Sequence, residues 1–389
     1  TSDMSTRLYD ALKEIPDYRD PRGVIYKLAD LHLMMICAIL CGMRNAVEIV
    51  EYISYKINDF RKILDVKSVP SHDTISRVYI HTDWTYLTKH LQDWLECNYP
   101  EKSKLYQGRR VYHIDGKAIR ASANKGKGEK APYQLNYQEE GKGIGIRSLS
   151  ILEKENEIKR IPDMLDFLDL ADAIVTIDAI GCQRKIMKKI LSKGGHFMIP
   201  IKDNQTALLE SVKSEKNRLI LTGKWNGLPS FRLQKLEHGR CESYSLRIIE
   251  NTEFLLEEFD ASDEFMSIAR IGVIEKTSVD KITKERTVTE SYIATDLCDL
   301  EPENFLGIKL SHWNIEAQHW IMDVQLDEDR QRQRLGNSKT NSTAFRRFLM
   351  ALAKNPEHPK WTVSKFMICC QNRFDEMVNT LLNMGNTEK

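Results

Sequence analysis

Apolar residues recur at three- and four-residue steps through "LADLHLMMICAILCGMRNAVEIVEYISYK" and again through "WTYLTKHLQDWLECNY". That period belongs to helices with one buried face, so residues 5 to about 100 are expected to be helical. Between the two stretches, "SVPSHDTISRVYI" offers Pro70, then Ser71 as an N-cap, then a short helix whose polar face carries His72, Thr74 and Arg77. A capped helix after a turn suits a DNA-reading element, with Arg77 as a contact, and it equally suits packing among neighbouring helices.

The pattern changes near residue 107. "RRVYHIDGK" reads as a short strand ending on Asp115, and "GIGIRSLSILEK" alternates like another strand. "NEIKRIPDMLDFLDL" has helical spacing, "AIVTID" reads as a strand, "QRKIMKKILSKGG" as a helix stopped by glycines, and "HFMIPIK" as a strand again. Residues 218 to about 300 turn strand-like and polar before helical spacing returns at "LGIKLSHWNIEAQHWIMDV". The expected class is α/β: a helical segment over 1–104, then a mixed domain over 105–389 with a β-rich insertion at about 218–302. The basic, Gly-containing tract "ASANKGKGEK" (121–130) reads as a mobile loop.

Composition narrows the class without choosing a function. A chain of 389 residues, 41% hydrophobic and 29% charged, can bury a sizeable core as a soluble globular protein. Its net charge of +1 excludes a chain basic throughout but leaves room for local patches. The eight cysteines are scattered with no CxxC pair, which argues against a zinc or disulfide framework and for a reduced, cytoplasmic protein. The longest apolar run, Leu33 to Met43, is about half the roughly 20 residues that a membrane span requires, and no signal peptide is evident, so no membrane partner is expected.

The candidate chemistry lies in carboxylates. Asp115 and Asp178 each close a run of β-formers and are followed at once by turn signals, Gly116 and Ala179–Gly181. Side chains at the carboxyl ends of strands line the ligand crevice of α/β sheets, and two such Asp side by side repel unless a cation sits between them. Either one alone also suits a simple turn cap. Trp313, Glu316, Trp320 and Asp323 follow at steps of three, four and three and share one helical face. A Glu on a mostly apolar face is costly unless paired, and a metal held by two Asp would pair it; Asp323 is the rival third ligand.

Asp, Asp and Glu without Cys or a closed His cluster describe a hard, oxygen-lined site suited to Mg²⁺ or Mn²⁺. Such sites typically hold two metals roughly 3.5–4 Å apart and cut or transfer phosphodiesters. Arg109, Arg110, Lys117, Arg120, Lys125, Lys127 and Lys130 crowd around the first Asp, and Arg330, Arg332, Arg334, Lys339, Arg346 and Arg347 follow the helix of Glu316. Both clusters fit phosphate-backbone binding or a solvated surface. His113, His312 and His319 flank the carboxylates and suit metal or phosphate contact as well as packing, while Trp313 and Trp320 suit base stacking or a core role.

Read in order, "DPRG", "PSHDTISRV", "HIDGK", "EKENEI", "TIDAIGCQ", "IKDNQ", "HGRCE", "HWNIEAQHWIMDV" and "EDRQRQRLGN" resemble the successive motifs of bacterial insertion-sequence transposases of the H-repeat-associated type. The resemblance implies an RNase H-like catalytic domain in which Asp115, Asp178 and Glu316 are the catalytic, metal-binding triad, with two Mg²⁺ or Mn²⁺ ions. It implies DNA with terminal inverted repeats and target DNA as partners, and a homo-oligomer, a dimer, in a synaptic complex at the nucleoid. It also places Lys202, Asn204 and Gln205 close to the active site, so the expected DNA contacts are these three with Lys117, Arg120, His312, Trp313, Arg77 and Arg330. Two departures stand out: Leu310, beside Lys309, replaces an Arg common two residues before the His-Trp pair, and Ser243 and Tyr244 follow "HGRCE" where a further Arg is common. The other readings are a domesticated DNA-binding protein and a structure-specific nuclease that lacks strand transfer.

Overall fold

The computed structural model describes residues 7–99, 103–118, 133–146, 148–151, 157–237, 240–250, 267–328, 335–354 and 362–382. The 121–130 tract, Arg120, Arg330, Arg332 and Arg334 lie outside the described residues.

The helical segment forms as its periodicity requires: α1 (Leu8–Lys13), α2 (Leu28–Leu40), α3 (Ala46–Ile63), α4 (His72–His81) and α5 (Trp84–Asn98). Helix α2 is apolar around its whole circumference, and all 13 of its residues are buried. Its two buried polar side chains are matched from other segments. The Tyr9 hydroxyl donates to Asp30 Oδ1 at 2.5 Å, and His32 Nε2 meets Thr82 Oγ1 at 3.1 Å. Ser71 caps α4 by accepting from the Thr74 amide at 3.2 Å, a contact worth about 1 kcal/mol.

The α/β part comprises β1 (Val111–Ala118), β2 (Tyr133–Glu139), β3 (Gly143–Ile144), β4 (Leu149–Ile151), α6 (Glu157–Asp166), β5 (Ile174–Ile177), α7 (Arg184–Ser192), β6 (His196–Ile201) and α8 (Thr206–Leu221). The insertion supplies β7 (Ser230–Glu237), β8 (Arg240–Glu250), β9 (Arg270–Asp280) and β10 (Arg286–Thr295). Helices α9 (Pro302–Ser311) and α10 (Trp313–Val324) follow. The segment "GIGIRSLSILEK", expected as one strand, makes two short ones that both pair antiparallel with β2, because the chain bends between them. Helix α7 ends as expected where Gly194 adopts φ +73°, a conformation that glycine accepts without strain.

All strands among the described residues join one 10-stranded sheet in the order β3-β2-β1-β5-β6-β10-β9-β8-β7, with β4 also on β2. Strands β1, β5 and β6 run parallel, and β10 returns antiparallel against β6, so the insertion extends the main sheet. Alternation along the strands divides the faces. Tyr112, Ile114, Val175, Ile177, Phe197 and Ile199 pack under α6, α7 and α8, whereas Val111, Ile174, Met198 and Ile293 pack with Phe305, Leu306 and Ile308 of α9. His113, Asp115 and Lys117, together with Thr176 and Asp178, therefore share the face covered by α9 and α10. Gly272 lets α9 approach: a Cβ there would stand 2.4 Å from the Phe305 ring.

Helices α11 (Ser338–Ala353), α12 (Val363–Asn372) and α13 (Phe374–Leu382) run back into the helical layer. Phe345, Phe348, Leu349, Met377 and Leu381 share one apolar core with Leu8, Met34, Ile53 and Trp94, so that core has chain from both sides of residue 104.

Candidate active site

The parallel register between β1 and β5 ends at the pair Ile114↔Ile177. Asp115 and Asp178 are the next residues on the two adjacent strands and point to the same face. Asp115 does not end its strand, as the sequence suggested. It lies mid-strand because β2 continues the pairing through Asp115↔Asn136 to Ala118↔Tyr133. Strand β5 does end before Asp178, which caps the following turn: Oδ1 accepts from the Ala179 amide at 2.7 Å and from Lys202 Nζ at 3.2 Å. Partial burial pushes the Asp178 carboxyl up, but the Ala179 amide and the Lys202 ammonium outweigh it and hold the group below its ordinary value.

Glu316 lies one turn into α10. Partial desolvation, then the charge of Asp115, and further Asp178, raise its carboxyl above the ordinary value, with Lys309 opposing only in part. Three carboxylates from β1, β5 and α10 thus share one field. Among the described residues no three His, Cys, Asp or Glu side chains stand in metal-binding geometry. Asp178 and Asp115 are partnered by Lys202 and by His319, whose Nδ1 lies 3.3 Å from Asp115 Oδ2. The donor set nonetheless fits a hard divalent cation, since all three donors are carboxylate oxygens whose mutual repulsion a cation would relieve.

Beneath the carboxylates, one strand step back on each strand and one helical turn back from Glu316, lies a buried polar trio. Thr176 Oγ1 is 2.7 Å from Nδ1 of both His113 and His312, and the two rings meet edge to face at 5.5 Å. His113 Nε2 reaches Ser311 at 3.2 Å and Glu140 at 3.3 Å. His312 is pushed down to about 3 by its burial, with His113 and Lys309 adding to the effect. It is a packed, hydrogen-bonded residue of this trio, as is His113. Lys309, half-buried beside the trio, is lowered by its own burial and by Lys202, with Asp178 and Glu316 opposing.

Several expected phosphate contacts take other roles. Lys117 is buried and paired with Asp323 and with Glu328 Oε2 at 2.6 Å, so its ammonium is not offered to DNA. Arg109 pairs with Asp172 and Asp299, and Arg110 with Asp169. Arg346 and Arg347 are buried in α11 and donate to the carbonyls of Leu326 and Gly145 at 2.9 and 3.2 Å. Asn204 and Gln205 donate to the carbonyls of Ala179 and Cys182 at 2.8 and 2.7 Å, fixing the turn after Asp178. Arg77 and Lys202 are exposed. Trp313 and Trp320 are exposed by 43% and 58%, which excludes the core role, and Lys276 of β9 stands 4.7 Å over the Trp313 ring. Asp323, the rival third ligand, faces Lys117.

Sequence reasoning passed over Thr176, Asn136 and Glu140. The available signal was the alternation Gln134, Asn136, Gln138 in β2, which reads as a solvent-facing edge and is in fact a buried amide row.

Residues 106–350 match the family described as "Transposase DDE domain", and residues 9–95 match "DDE_Tnp_1-associated". The chain is 28% identical to "Putative transposase YncI" of Escherichia coli O157:H7 across 92% of this chain and 90% of that protein. It is 27% identical to "H repeat-associated putative transposase YhhI" of Escherichia coli K12 across 90% of each chain.

Proposed function

The chain belongs to the transposase DDE domain family, whose catalytic domain is RNase H-like, and from that premise we propose that Asp115, Asp178 and Glu316 are the residues with which this DNA transposase cuts and joins DNA. The observation that carries the assignment is the register: two Asp follow the last paired residues of adjacent parallel strands, and Glu316 responds electrostatically to both.

The family uses a divalent cation; here the three carboxylates would hold Mg²⁺ or Mn²⁺, two per site. Such ions activate the attacking oxygen and stabilise the leaving one. Water attacks the phosphodiester at the element end and displaces the element's 3′-hydroxyl, which then attacks a target phosphodiester and displaces a target 3′-hydroxyl. The turn fixed by Asn204 and Gln205 keeps Asp178 rigid. Lys202, exposed beside Asp178, and the exposed Trp313 and Arg77 are the groups that would contact DNA. The working form is a homodimer that pairs two terminal inverted repeats and target DNA at the nucleoid. No described helix is long and apolar enough to cross a membrane.

The test is incubation of labelled element ends and target DNA with Mg²⁺ or Mn²⁺, comparing wild type with Asp178→Asn. Wild type is expected to give nicked and joined products. The variant should remain folded and lose both, since even about 4 kcal/mol of lost transition-state stabilisation costs roughly a thousandfold in rate. Nicks without joining would indicate a nuclease, binding without cleavage a domesticated DNA-binding protein, and near-normal cleavage by the variant would remove Asp178 from the site.

A further inference from the structure

A second polar chain approaches Asp115 from the β2 side, through its cross-strand partner Asn136, and ends in the helical layer. Arg347 of α11 donates through Nη2 to Asn136 Oδ1, Asn136 Nδ2 lies 2.9 Å from His319 Nε2, and His319 Nδ1 lies 3.3 Å from Asp115 Oδ2. Asn136 is 0% exposed and Arg347 1%, so no solvent competes for these groups.

The direction of this chain is fixed at one end by chemistry. A guanidinium has donors only, so the Asn136 atom facing Arg347 must be the carbonyl oxygen. The amide nitrogen then faces His319 and can only donate, which makes Nε2 the acceptor. The proton of a neutral imidazole therefore sits on Nδ1, the nitrogen that lies 3.3 Å from Asp115 Oδ2. An imidazolium would set N–H against N–H at Asn136. The tautomer is set two residues away, in a buried place that DNA does not reach.

We infer that His319 is a positioning residue for Asp115, held by Arg347 and Asn136 with its Nδ1 turned to one carboxylate oxygen, which leaves the other for a divalent cation. The inference rests on the assignment of Asp115 to the cation site. It also gives α11, a helix of the other layer, a part in arranging the carboxylates. Partners of this kind, one bond removed from a metal, typically change affinity about 10- to 100-fold when removed.

The experiment uses the full chain and Mn²⁺ alone, without DNA, titrated calorimetrically into wild type, His319→Leu, His319→Asn and Asp178→Asn, with thermal melts of each metal-free protein. His319→Leu is expected to weaken Mn²⁺ binding about tenfold or more, and His319→Asn, whose amide nitrogen reproduces the Nδ1 donor, to restore most of it. In wild type with ¹⁵N-labelled histidine, the resonance lost in His319→Asn should show a protonated Nδ1 and a bare Nε2; this readout stands even if a variant fails to fold. Equal loss in His319→Leu and His319→Asn, no loss in either, or a protonated Nε2 would overturn the inference. If Asp178→Asn also binds Mn²⁺ like wild type, the carboxylate site itself is misassigned; if Asp178→Asn loses Mn²⁺ while His319→Leu does not, only the role of His319 fails.

Discussion

Lys117 of β1 and Asp323 of α10 form an ion pair that bridges the sheet and the helix carrying Glu316, and Glu328 accepts from the same ammonium at 2.6 Å. Lys117 stands two residues beyond Asp115 on the same face, and Asp323 two turns beyond Glu316. The pair therefore sets how far α10 stands from β1.

From this follows the first prediction, that Asp323 supports the helix while Glu316 does chemistry. Glu316→Gln should abolish DNA cleavage. Asp323→Asn should leave cleavage measurable and lower stability by less than the about 3–5 kcal/mol of breaking a buried pair, because Lys117 keeps Glu328. Cleavage assays and melts of both variants check this, and the reverse pattern of activity would make Asp323 the third ligand.

The Glu316 carboxyl also predicts a pH dependence in the metal-free protein. Its value is raised in the folded state, so the fold binds that proton more tightly than the unfolded chain does. The stability this group contributes is present at low pH and lost as pH rises through the folded value. Glu316→Gln should thus melt level with wild type near pH 4 and above it by about pH 7. Mn²⁺ should raise the wild-type Tm and close the gap, since it stabilises only the protein that binds it.

Lys339 carries a third prediction. Its ammonium is buried with no hydrogen-bond partner among the described residues, and burial lowers it to about 8, with Glu328 opposing. A Lys depressed in the fold costs stability in full below about 8, and that cost fades as pH rises towards its ordinary value of 10.5. Lys339→Met should stabilise the protein at pH 7 by up to about 3 kcal/mol and by little near pH 10.5. Denaturant melts at the two pH values decide it.

Arg77 is the accessible test of the helical layer. It is exposed on capped α4, so Arg77→Gln should leave the fold and Mn²⁺ binding unchanged. End binding should weaken, and the slope of log K against log salt should fall by about 1. An unchanged slope would return α4 to a packing role. Deleting the segment is not equivalent, because α11, α12 and α13 share its core.

What was legible in the sequence is local. The apolar period of α2, the Ser71 cap, the glycine that stops α7 and the β-branched run that ends at Asp178 each depend on neighbours within a few residues, and each formed as read. Two local readings failed: "GIGIRSLSILEK", where alternation spans a bend that only pairing with β2 reveals, and the strand end at Asp115, which pairing with β2 carries on to Ala118.

What the tertiary structure decided is where long polar side chains end. Lys117, Arg346 and Arg347 belong to clusters that read as phosphate-binding or solvated, because isolated cations belong in water. Each is buried instead against a partner far along the chain: Lys117 on Asp323 and Glu328, Arg347 on Asn136 and the Gly145 carbonyl. Burial of such a group is tolerable only once that distant partner arrives, and no pattern of adjacent residues encodes the arrival. The same holds for the carboxylates: the sequence marks Asp115 and Asp178 by their β-forming runs and Glu316 by its helical face, but only the parallel register of β1 on β5 and the packing of α10 put the three in one electrostatic field.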